Sequence, residues 1–207
     1  VCSDEALPRE SQIVLALKTL CGFSSAEIAR RFFQSEDATH KRLQRARATL
    51  RAKPVELETP PLEQLAQRLP AVQQMLYLLF TEGHNSSQPD TLIRHELCEE
   101  AIRLGLLVAE HPVGDTPETW ALLALMLLGA ARFPARLSGA GELLLLEEQD
   151  RALWDRELIA RGLACLQRAA RGELFSRYHA EAAIALEHCL APSYGETRWQ
   201  EIARLYE

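Results

Sequence analysis

Apolar residues along this chain recur at helical intervals, and no run alternates with the period of two that a half-buried strand requires. A first helix is predicted from about Pro8, since proline suits a first turn, where the N–H it lacks would be unpaired anyway. Ile13, Leu17 and Leu20 form its inner stripe, and Gly22 ends it by accepting the left-handed backbone common just past a helix. Ser24 stands three residues before Glu27, the spacing of a capping box. Ile28, Ala29, Phe32 and Phe33 make the apolar face of a short second helix. Ser35 caps a third, running to about Ala52, with Thr39, Leu43, Ala46 and Leu50 facing inward.

Further helices are predicted at 62–80, 91–110, 117–131, 155–171, 177–190 and 196–206. The stretch KPVELETPP at 53–61 holds three prolines and no helical period, so it reads as a linker. The expected domains are therefore 1–53 and 62–207, joined by 54–61. Within ARLSGAGELLLLEEQ (135–149), the Ser-Gly-Ala-Gly core predicts a turn and the leucine run a short extended piece. The fold class is all-α. The second domain resembles the stacked helical hairpins of tetratricopeptide units, without a clean repeat of that length.

Charge sharpens this division. Residues 1–53 carry ten Lys/Arg against six Asp/Glu, and residues 54–207 thirteen against twenty-three, so +4 and −10 make up the net −6. That asymmetry predicts a basic module joined to an acidic one. Five cysteines, at 2, 21, 98, 165 and 189, include no C-x-x-C pair, which fits a reducing, cytoplasmic setting. The longest apolar run, WALLALMLLGAA, falls short of the roughly 18 residues of a membrane span, so no membrane partner is expected.

Two capped helices joined by QSED form a helix-turn-helix candidate, whose second helix would enter the major groove of DNA. With Thr39, Leu43, Ala46 and Leu50 inward, Lys41 and Arg45 point outward. His40, Gln44, Arg47 and Arg51 lie on one flank and Arg42 on the other. Residues 41–53 hold six basic groups and no acid. Arg or Lys can pair with guanine edges and Gln with adenine, and the remaining cations suit phosphates. Glu36 and Asp37 favour the positive N-terminus of the third helix but would repel nearby phosphates.

The run LPRESQIVLALKTLCGFSSAEIARRFFQSEDATHKRLQRARATLR resembles region 4 of bacterial sigma factors of the extracytoplasmic-function group. The matching positions are Gly22, Phe23, Ser24, Glu27, Ile28 and Ala29, then Arg45, Ala46 and Arg47. The phrases LYLLFTEGHNSS, EAIRLGLLVAE, ALLALMLLGAARFPAR and LLEEQDRALWDRELIARGL resemble a subgroup with a long helical C-terminal extension. The resemblance implies a reader of the promoter -35 element that docks on the beta flap of RNA polymerase. It places groove-reading positions at His40, Lys41, Gln44 and Arg45, and a basic position of the first helix at Lys18. With Arg42 and Arg47 these are the candidate DNA-binding residues. Nothing in the chain resembles region 2, the part that melts promoter DNA, so the expectation is the C-terminal part of a sigma factor with region 2 upstream of Val1.

No G-x-S-x-G, phosphate-binding glycine loop or H-E-x-x-H is present, and no enzyme, cofactor or metal is expected. His95 and Cys98 with Glu99, and His179 with His188 and Cys189, read as ordinary helix residues. Trp154 should be buried with an indole N–H in need of a partner, and Asp150, Arg151 and Asp155 are expected to form a charge-paired turn that locks the hairpin onto the next helix. TEGHNSS (81–87) reads as a helix end and turn. The acidic half is expected to bind a protein partner, to act on the basic module, or simply to stabilise it. Two alternatives stand beside the sigma-factor reading: a helix-turn-helix regulator whose helical half senses a ligand or protein, and a helical scaffold that never meets DNA.

Overall fold

A computed structural model describes residues 2, 4–52, 60–88 and 91–207. Among these the chain forms nine α-helices and two 3-10 turns, and no strand. The helices are α1 (Arg9–Thr19), α2 (Ser25–Arg31), α3 (Glu36–Arg51), α4 (Leu62–His84), α5 (His95–Glu110), α6 (Pro117–Ala130), α7 (Arg156–Ala169), α8 (Arg177–Leu190) and α9 (Trp199–Tyr206). Their order is the predicted one, with ends shifted by about a turn at most, the usual scatter at frayed helix ends. The leucine run after the Ser-Gly-Ala-Gly turn makes a single bridge, Leu137 to Leu143, instead of an extended strand.

The chain divides into two compact units, Val1–Leu97 and Cys98–Glu207. The first extends well past residue 53, because α4 packs against α1. Most of the expected linker, residues 53–59, lies outside the described residues. In the first unit α1 is the central helix, and Ile13, Val14, Leu15, Ala16 and Leu17 are all buried. Its exposure to α2, α3 and α4 on several sides explains why burial exceeds the predicted single stripe. Leu20 departs from expectation. It caps the C-terminus beyond the last turn and is 74% exposed, as the chain swings away through Gly22 at φ 72°. Phe33 departs as well. The helix ends at Arg31, and Phe33 sits in the following turn at φ 50° and 99% exposed, a backbone that bulky residues seldom adopt.

The second unit is built around α6, whose residues from Thr119 to Ala130 are buried nearly all round. Pro117 opens it, and Thr116 caps it by accepting from the Thr119 amide at 3.3 Å. α7 and α8 both pack on α6, and α8 also packs on α9. Two glycines permit close approaches to α6. A Cβ on Gly105 of α5 would lie 2.9 Å from Met126, and one on Gly162 of α7 would lie 2.7 Å from Leu128 Cγ. At the start of α8, His179 takes the place of the usual capping-box acid. Its Nδ1 accepts from the Ser176 amide at 3.1 Å, and its Nε2–H donates to Ala169 O at 3.2 Å at the end of α7.

Gly162→Ala should therefore destabilise the second unit by on the order of 1 kcal/mol, as overpacking against Leu128 outweighs the better helix propensity of alanine. Gly139→Ala, which meets nothing within 4 Å, should leave stability unchanged within about 0.5 kcal/mol. Chemical denaturation of both variants checks the pair.

Candidate nucleic-acid interface

The turn between α2 and α3 is set by local caps. The Ser24 hydroxyl accepts from the Glu27 amide at 3.1 Å, and the Glu27 carboxylate accepts from the Ser24 amide at 2.7 Å. Ser35 accepts from the Ala38 amide at 3.2 Å and so starts α3, while the Gln34 side chain reaches Thr39 at 2.9 Å. Thr39, Leu43 and Ala46 are buried as the periodicity requires, and Leu50 is half-buried. The opposite face of α3 is thereby turned to solvent, with His40, Lys41, Gln44, Arg45 and Arg47 all exposed.

Four of the predicted residues meet in one place. Lys18 from α1, with His40, Gln44 and Arg47 from α3, lines an open concavity of about 440 Å³ together with Ser25, Leu43 and Arg51. His40, Gln44, Arg47 and Arg51 follow one another at intervals of four, three and four residues, a single helix stripe. Lys41 and Arg45 lie on the adjoining stripe, where Arg45 Nε donates to Lys41 O at 3.3 Å. Arg42 is placed differently. It is ion-paired with Glu10 of α1 and largely covered, apart from the other cations. His40 lies 3.5 Å from Glu36, so the acid of the first turn already has a neighbour in its own helix. Ser25 was the residue that sequence reasoning missed, and its position just after the Ser24 cap is the signal that could have found it.

Behind this face, α2 is locked to the end of α4 and the segment after it. Glu82, 0% exposed, accepts from Arg31 Nε at 2.7 Å and from the amide and hydroxyl of Ser87 at 2.8 and 2.9 Å. The other end of Arg31 donates to Thr81 O in the last turn of α4 at 3.2 Å and to the carbonyl of its C-cap, Asn85. Glu27 is drawn in from the other side. Its second oxygen accepts from Gln88 Nε2 and Arg94 Nη1, each at 3.0 Å. Burial alone would raise the Glu27 carboxyl. The hydrogen bonds from Ser24 and Gln88 and the charge of Arg94 outweigh it and hold the group below its ordinary range. TEGHNSS is thus the helix end and turn that its sequence predicts, and it carries half of this clamp.

In the second unit, the expected charge-paired turn is absent. Asp150 and Asp155 act as N-caps, accepting from the amides of Ala152 and Leu158 at 2.9 and 3.0 Å. Arg151 turns instead to the carbonyls of His188 and Ala191. The caps win because each satisfies an orphan amide at a helix start. No helix among the described residues is long and apolar enough to cross a membrane.

Comparison with known proteins matches residues 5–50 to the family "Sigma-70, region 4". Residues 68–170 match a family of unknown function, DUF6596. The chain is 42% identical over 208 residues to an uncharacterized protein of Rhizobium meliloti (strain 1021), covering 100% of this chain and 49% of that protein. The chain thus spans about half the length of the curated relative it matches. No solved structure matches.

Because the folded Glu27 carboxyl is held below its unfolded value, its contribution to stability is present at neutral pH and is lost as pH falls through the folded value. Glu27→Gln should destabilise the first unit at pH 7, by about 2 kcal/mol for the lost charge-assisted bonds, and flatten its acid transition. Thermal melts from pH 7 to pH 3 check both effects.

Proposed function

Residues 5–50 are a sigma-70 region 4 domain followed by a DUF6596 domain, and on that premise we propose that the chain reads the promoter -35 element through α3. The domain type makes this a sigma-factor-like DNA-binding part. The observation that carries the finer reading is the concavity in which Lys18, His40, Gln44, Arg47 and Arg51 converge on the solvent face of α3. A concave surface with several cations and one amide side chain suits a phosphate backbone and a base edge together. In this proposal Gln44, Lys41 and Arg45 meet bases, while Lys18, His40 and Arg47 hold phosphates. Arg42 contributes mainly through Glu10, by fixing α3 on α1.

Docking on core RNA polymerase through the beta flap, and membership of the extracytoplasmic-function group, belong to the same proposal. So does a cytoplasmic location, and so does transcription initiation by the whole protein. The proposed domains keep 1–53 as the DNA-binding part, 54–61 as linker and 62–207 as extension, with α4 supporting the first part by its packing on α1. The DNA-binding domain type supplies no catalytic group. A second reading, a helix-turn-helix regulator with a ligand-sensing helical half, is favoured by one observation, a cluster of unpaired buried polar groups in the second unit.

Binding to a -35-like duplex should weaken steeply with salt, and Lys18→Ala or Arg47→Ala should each lower the slope of log affinity against log salt by about one. Lys41→Ala combined with Arg45→Ala should weaken binding by about tenfold or more. Fluorescence anisotropy at several salt concentrations measures all of these, and unchanged binding in every variant would overturn the proposed face.

A further inference from the structure

Arg132, Arg151, Trp154 and His188 meet where the end of α6, the 3-10 turn at Arg151–Leu153 and the end of α8 come together. Trp154 is 2% exposed, with the Arg151 guanidinium 4.6 Å and the Arg132 guanidinium 5.5 Å from its ring centre. Among the described residues, both guanidiniums bond only to neutral oxygens. Arg132 Nε and Nη2 share Gln149 Oε1 at 3.2 Å, and Arg151 Nη1 donates to His188 O and, at 3.0 Å, to Ala191 O. The nearby acids are engaged elsewhere. Asp150 and Asp155 cap helices, and Glu187 grips Arg198 through two bonds of 2.7 and 2.6 Å.

Four buried side-chain polar atoms among the described residues have no hydrogen-bond partner, and three of them lie here: Arg151 Nη2, Trp154 Nε1 and His188 Nδ1. Two of the three can only donate, and His188 Nδ1 donates in one tautomer. Groups of this kind are costly to leave unpaired in a protein interior and call for a bound species that satisfies them. A cation is excluded by the uncompensated charge of two guanidiniums, and an apolar molecule would leave the donors unpaired. A group with several acceptor lone pairs and negative charge answers both requirements. Burial, and then the charges of Arg132 and Arg151, hold the His188 imidazole below its ordinary range, with Glu187 acting the other way.

We propose that Arg151, Trp154 and His188, flanked by Arg132, bind a small oxyanion, a phosphate or carboxylate group, within the second unit of the chain. Arg151 Nη2 and the Trp154 indole N–H donate to its oxygens, and His188 supplies a third contact. Arg132, half-buried and held by a single acceptor, is the side chain that moves to admit it. The bound anion ties the 3-10 turn to the ends of α6 and α8, so occupancy stabilises the unit.

The test titrates the full chain with sodium phosphate and with sodium acetate, at ionic strength matched by sodium chloride, following heat of binding and the melting midpoint. Saturable binding of one anion, with a rise in the midpoint, is expected. Preference for phosphate assigns a phosphate-bearing ligand, and preference for acetate a carboxylate. Trp154→Phe, which keeps the ring and removes the N–H, should weaken binding about tenfold, as should Arg151→Lys. Circular dichroism verifies that each variant folds, and either one alone suffices to decide. No effect beyond the chloride control would overturn the proposal, leaving water as the partner of these donors. So would binding that survives both variants and disappears in Arg47→Ala, because the anion would then belong to the basic face of α3.

Discussion

Glu82 and Glu27 are carboxylates taken out of water, and each is tolerable only because an arginine and several further donors come to it. Removing the arginine of such a pair leaves a buried carboxylate short of its countercharge, a loss of about 3–5 kcal/mol. The two pairs cross between the same pieces of chain: Arg31 and Glu27 both lie on α2, while Glu82 and Arg94 lie at the end of α4 and beyond it. α2 is therefore held at both ends to the segment that follows α4. Everything presented by the basic face depends on where α2 sits, since Ser25 at its start lines the same concavity as Lys18 and Arg47. The segment that by sequence opens the extension is, by packing, structural support for the helix-turn-helix.

Local features were readable in advance because their causes are local. Ser24 and Glu27 sit at capping spacing and form both bonds of the box; Thr39, Leu43 and Ala46 recur with helical period and are buried. The helix predicted at 117–131 is α6, Pro117–Ala130. The same logic fails where a helix stops early. Leu20 and Phe33 continue their apolar stripes in sequence, but Leu20 is the C-cap just before the chain turns away at Gly22, and Phe33 lies past the end of α2 in a left-handed turn.

The long-range pairings were out of reach. Glu27 and Arg94 are 67 residues apart, and nothing in the sequence singles out Arg94 among the basic residues of the chain. The period put Arg42 on the other flank from Arg47, but only the packing on α1 reveals its pairing with Glu10. The candidate face itself was largely legible, because period and charge together chose it. In the second unit the acids of EEQDRALWDRE were expected to neutralise Arg151. Helix starts claimed them first, and the unanswered charge around Trp154 is the consequence.

The claim that the clamp makes the helix-turn-helix and the segment after α4 one cooperative unit is tested most directly by hydrogen exchange on the full chain carrying Glu82→Ala. The account predicts that amides of α2 and of residues 81–88 lose protection together, with α6 unaffected. Loosening of residues 81–88 while α2 keeps its full protection would contradict it.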